Sequence, residues 1–170
     1  AYRAHPGMTD ARFQDGGEEP LRLVAQDGED LQVISTLLQD AVLPVTELAF
    51  DARRRRFAVL LNRFRWEDRA EAERAGRAYE RVRSLLVVDD VRKVQTMGFD
   101  RGERDLVLSL LSMSFDPGED GTGRLTLTLA GDGAIALEVE ALDVRLDDVT
   151  RWLPGLARTA GQRAQRLRQR

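Results

Sequence analysis

The 170-residue sequence contains no cysteine, a single histidine and a single lysine. Without thiols the chain carries no disulfide, iron–sulfur cluster, thiolate zinc site or cysteine nucleophile. The histidine, His5, lies in a polar, glycine-rich stretch ahead of the first apolar segment, so histidine-dependent acid–base catalysis is not expected. No apolar run approaches the roughly 18 residues of a membrane span, and residues 1–20 lack the continuous apolar core of a signal peptide. These absences lead to the expectation of a cytoplasmic protein without a membrane partner. Also missing are a phosphate-binding glycine loop, a dinucleotide fingerprint, a nucleophile elbow and a histidine–glutamate zinc motif. No cofactor and no metal are therefore expected.

Charge is abundant and unevenly placed. The 26 basic and 29 acidic residues nearly balance, but every acid precedes residue 149. Arg151, Arg158, Arg163, Arg166, Arg168 and Arg170 follow with no acid among them, which leaves 20 basic against 29 acidic residues before them. The chain thus reads as an acidic domain over 20–154, preceded by a disordered segment over 1–19 and followed by a basic tail over 155–170. The tail has the sign for nucleic acid, but it lacks aromatic residues for base stacking and adjoins a domain of opposite sign. Nucleic acid is accordingly a disfavoured partner.

Hydrophobic periodicity predicts an α+β fold dominated by an antiparallel meander, with the strands either closing into a partial barrel or remaining open. Leu21 to Ala25 alternates as a short strand. Asp27 is placed to cap an amphipathic helix carrying Leu31, Ile34, Leu37, Leu38, Ala41 and Val42 on one face, ended by Pro44. Two strands, Val45 to Phe50 and Phe57 to Trp66, then flank a turn over 51–55, and a short surface helix lies between Glu67 and Glu80. Strands over 81–88 and 91–99 read as a hairpin around Asp89-Asp90. In Leu106 to Phe115 the apolar parity shifts, which predicts a bulge near Leu110 or Leu111. A second shift, between Val139 and Leu142, predicts another. Asp147 or Asp148 is placed to cap a C-terminal helix through Trp152 and Leu153, which Pro154-Gly155 interrupts.

The most distinctive segment is Asn62-Arg63-Phe64-Arg65-Trp66-Glu67. Alternate arginines on one strand face can grip a carboxylate or phosphate through paired N–H donors, while the aromatics anchor the strand beneath. Arg81 and Arg83 on the following strand join Arg63 and Arg65 as candidate ligand-binding residues. The plainer reading makes Arg63 and Arg65 a solvated face paired with Glu67 and Asp68. Catalytic residues are not assigned. The doublets Asp89-Asp90 and Asp147-Asp148 fit a turn and a helix cap better than an acid–base dyad, because neighbouring side chains on a strand point apart.

The run from Leu21 to Leu31, the helix after it and the Asn62–Glu67 motif together resemble an uncharacterised proteobacterial family known as a domain of unknown function, over about residues 20 to 155. The resemblance implies a small cytosolic bacterial protein and assigns no activity, cofactor or catalytic residue. The functional expectation is a non-enzymatic binding or accessory protein that recognises an acidic protein partner or anionic small molecule through an arginine-bearing sheet rim. Two alternatives stand beside it: an enzyme acting on a phosphorylated or carboxylated metabolite, with Asp89 or Glu67 as base, and weak RNA binding through the tail.

Overall fold

The computed structural model describes residues 20–76 and 80–149. In chain order these form β1 (Arg22–Ala25), α1 (Gly28–Leu37), β2 (Val42–Pro44), β3 (Leu48–Asp51), β4 (Arg56–Phe64), α2 (Arg69–Ala75), β5 (Arg81–Val88), β6 (Val91–Met97), β7 (Val107–Pro117), β8 (Gly123–Leu129), β9 (Ala134–Val139) and β10 (Val144–Asp148). Every pairing is antiparallel. The strands make one open ten-stranded sheet in the order β1-β10-β5-β4-β2-β7-β8-β9-β6, with β3 also on β4.

The inner face of this sheet and one side of α1 form the main core. Asp27 caps α1 by accepting the Asp30 N–H at 2.8 Å, and Leu31, Ile34 and Leu38 are buried among strand residues such as Phe57, Leu86, Leu110, Leu127 and Leu146. The parity shift in β7 is a bulge: the register slips between Leu110 and Ser112, leaving Leu111 exposed. Beyond the bulge the buried Met113 N–H donates to Ser35 Oγ of α1 at 2.9 Å, so the helix satisfies a strand donor. The Gly131-Asp132 turn between β8 and β9 has positive φ at both residues, the geometry that matches strand twist in tight hairpins.

Five features of the chain differ from the periodicity. The helix stops at Leu37, because Val42 to Pro44 pair with β7 and β2 becomes the bridge between the two halves of the sheet. Val45 to Glu47 is a single 3-10 turn ahead of β3 rather than the start of a strand. The strands flanking Asp89-Asp90 are not a hairpin: β4 and β10 occupy both edges of β5, so the chain crosses at Asp90, with φ of 60°, to pair β6 with β9. The parity change after Val139 is the end of β9, not a bulge. Asp147 and Asp148 lie in strand β10 and pair with Leu85 and Ser84, so neither caps a helix there. The segment over 1–19, the expected C-terminal helix and the basic tail lie outside the described residues.

Candidate functional site

Register brings the polar residues of three strands to one place. Leu61 of β4 faces Ser84 of β5, which faces Asp148 of β10, and partners in register share a sheet face. Arg63 lies two residues beyond Leu61, on the same face. The inner face is apolar through Phe57, Val59 and Leu61 and then ends in Arg63, Ser84 and Asp148.

Arg63 is fully buried, not on a solvated rim. Its Nε donates to Asp148 Oδ1 at 3.0 Å and to Ser84 Oγ at 3.2 Å. Nη1 donates to the Phe64 carbonyl at 3.0 Å and Glu67 Oε1 at 2.8 Å, while Nη2 donates to Glu67 Oε2 at 2.8 Å and Asp148 Oδ2 at 2.7 Å. A guanidinium has five N–H donors, and these contacts use all of them. Asp148 is equally occupied: Ser84 Oγ donates to Oδ1 at 2.5 Å and the Leu21 N–H to Oδ2 at 2.9 Å. The reciprocal Asp148 N–H to Leu21 carbonyl bond ties the entry of β1 to the same point. Burial opposes the charge on Arg63, but the bonds to Glu67 and Asp148 outweigh it and hold the guanidinium above its ordinary range.

Arg65 is also buried, paired with Asp68 at 3.1 Å and Glu80 at 3.4 Å. Burial raises Asp68 above the usual carboxylate range; the Arg65 charge opposes this, and Glu67, Glu71 and Glu80 add to it. Glu67 and Asp68 are thus the partners of the two arginines, in pairs whose guanidinium is buried and whose carboxylate stays partly exposed. Trp66 packs against Phe64 with ring centroids 5.2 Å apart and donates Nε1–H to the Gln39 carbonyl at 3.0 Å. The motif strand is thereby fastened to the segment after α1.

Arg81 and Arg83 occupy the opposite face and are exposed. Arg83 stands opposite Asn62, and Arg81 opposite Phe64. The Arg81 guanidinium lies 4.0 Å from the centre of the Phe64 ring, a cation–π contact. Among the described residues neither arginine has a carboxylate partner. The four candidates therefore divide into two internal residues, Arg63 and Arg65, and two external ones, Arg81 and Arg83. Asp89, the candidate base, accepts from Arg56 Nε at 2.7 Å, and among the described residues no three acidic side chains gather as a cation site.

Sequence reasoning missed Ser84 and Asp148. The available signal was parity: each is a polar residue on the buried alternation of an apolar strand, Ser84 with Leu86 and Val88, Asp148 with Val144 and Leu146.

A family model matches residues 21–160, more than half of the chain. The chain belongs to the family described as protein of unknown function (DUF2948). The match spans every strand from β1 to β10, so the Arg63–Asp148 tie falls wholly inside the DUF2948 region. No curated protein and no solved structure matches the chain.

Proposed function

We propose that the protein is a non-enzymatic binding or accessory protein that holds an acidic partner or anionic ligand on the outer face of β4 and β5. The observation that carries this reading is the pair Arg81 and Arg83, exposed on one side of β5 without carboxylate partners among the described residues. Side chains two apart on a strand project to the same face roughly 7 Å from each other. Two guanidinium groups at that spacing fit successive carboxylates of an acidic segment, or two oxygens of one phosphate-bearing ligand. Asn62 adds an amide beside Arg83, and Phe64 supports Arg81 from beneath.

Arg63 and Arg65 contribute indirectly. Their buried ion pairs hold the end of β4 in place, which fixes the outward positions of Asn62 and Phe64. The support for binding over catalysis is that Glu67 is held by Arg63 and Asp89 by Arg56, which leaves neither as an unencumbered base.

The test is an NMR titration with inorganic phosphate and, separately, a short poly-glutamate peptide, observing the arginine Nε–H signals. Arg81 and Arg83 are expected to shift, and the response to vanish in the Arg81→Ser/Arg83→Ser variant. Shifts distributed evenly over all exposed arginines would reject the site.

A further inference from the structure

Strand β7 outruns its neighbour on one edge. The Leu110 N–H donates to the Ala41 carbonyl at 2.8 Å and the Leu106 carbonyl accepts the Val45 N–H at 2.9 Å, so the even-numbered residues turn their backbone groups towards β2. In an antiparallel ladder the alternate residues address the other edge. There β8 stops at Leu129, the Ala130 N–H takes the Ser109 carbonyl at 2.9 Å, and the chain turns away into β9. The N–H and C=O of Val107, two residues earlier, face that edge with no strand beside them. A cleft of about 340 Å³ opens at this place, and Phe99, Glu103, Val107, Ser109 and Gly133 are among the residues that line it.

We propose that this cleft binds an extended peptide segment of a partner protein, which adds as a short strand beside Val107 and sets a lysine or arginine side chain on Glu103. Strand addition needs open main-chain groups for affinity and places for alternate side chains for specificity. Val107 offers both, since it is 55% exposed and its side chain is open to a cross-strand neighbour. The opposite wall is fixed in advance. Gly98 has φ of 79°, and a Cβ there would stand 2.8 Å from the Asp132 carbonyl oxygen and 2.9 Å from Gly133 Cα, so the end of β6 lies backbone to backbone against the β8–β9 turn. A wall set in this way spares the ordering cost of binding. Charge selects the occupant. Among the described residues Glu103 is the one ionisable side chain lining the cleft; it is exposed and makes no ion pair there. Asp132, exposed in the adjoining turn, adds a second carboxylate, whereas Arg101 lines the narrow seam between β3 and β6 instead. The site is independent of the arginine pair, because it lies on β7 and its charge has the opposite sign.

The test follows the amides of the full chain by NMR during titration with three end-blocked pentapeptides: Thr-Val-Arg-Val-Thr, its counterpart Thr-Val-Glu-Val-Thr, and the arginine peptide with N-methylated amides. The arginine peptide is expected to shift the amides of Val107 and Gly133 and to slow hydrogen exchange at Val107. The glutamate peptide should bind more weakly by about fivefold, the scale of an exposed ion pair, and the N-methylated peptide should leave Val107 unchanged. Glu103→Gln is expected to bring the two unmethylated peptides to equal affinity without altering the remaining amides. Failure of every peptide to shift Val107 would overturn the proposal. Equal binding by the N-methylated peptide, or by free argininamide, would assign the cleft to an isolated cation and overturn strand addition. A Val107 amide already protected from exchange in the protein alone would show the edge to be paired, by this chain or by a second copy, and equally overturn it.

Discussion

At the residue scale, the fate of an arginine is decided by what its neighbours in register can offer. Arg63 lies two positions past Leu61 on a face that is otherwise apolar, where an unpaired cation would cost several kcal/mol. Asp148, Glu67 and Ser84 compensate it completely, and the reciprocal dependence makes each of them costly to remove. Asp148→Asn is expected to destabilise the protein by about 3 kcal/mol, since it withdraws the charge from a buried pair. Replacing both partners, as Arg63→Met/Asp148→Leu, should cost less than the sum of the single changes. Denaturant unfolding of the four-member cycle measures the coupling; additivity would show that the two side chains do not act as a pair. Asp143 behaves in the opposite sense. Burial, and then the charges of Asp89 and Asp90, raise it above the ordinary carboxylate range. Its folded state therefore holds the proton more tightly than the unfolded chain, so this contribution to stability is complete below the unfolded pKa and lost as pH rises through the folded one. Asp143→Asn should raise the melting temperature at neutral pH, with the gain shrinking on acidification. A gain that is constant with pH would contradict the assigned cause.

At the element scale, local signals were legible where one residue type suffices to make the structure. Asp27 marked the start of α1, and the shift of apolar parity marked the β7 bulge. Signals that depend on remote partners were not legible. Ala41 and Val42 continue the helical spacing of α1, yet they sit where the chain is drawn onto β7, the Leu110 N–H donating to the Ala41 carbonyl at 2.8 Å. The doublet Asp147-Asp148 has the composition of a helix cap; parity with Val144 and Leu146 puts Asp148 on the buried face, but only the pairing of β10 with β5 brings it to Ser84 and Arg63. The contact between α1 and the bulge gives an element-scale prediction. Ser35→Ala removes the acceptor of the buried Met113 N–H and should cost roughly 1–3 kcal/mol. Hydrogen exchange at Met113 is expected to accelerate more than at Leu127; equal acceleration would indicate general destabilisation without a specific helix–bulge bond.

At the scale of the whole molecule, mixed α and β composition and the antiparallel character follow from alternation, while strand order does not. β6 follows β5 directly in the chain but lies at the far end of the sheet, because both edges of β5 are already taken. The candidate site inherits that difference. The motif Asn62–Glu67 is visible in the sequence, but its division between an inner face holding Arg63 and an outer face holding Asn62 beside Arg83 depends on β4, β5 and β10 lying side by side. The outer face of the same three strands also carries a small apolar cluster, Ala58, Leu60, Leu85, Val87 and Val149, beside the arginine pair.

The most direct test of this division measures stability and binding on the same variants. Melting temperature and affinity for a poly-glutamate peptide are compared for the parent chain, Arg63→Met and Arg81→Ser/Arg83→Ser. Internal arginines and an external binding pair predict that Arg63→Met melts lower, by about 2–4 °C for each kcal/mol lost, while its folded fraction still binds. The double variant should melt with the parent and lose the peptide. The reverse pattern, with binding lost in Arg63→Met at unchanged melting temperature and retained in the double variant, would contradict the account.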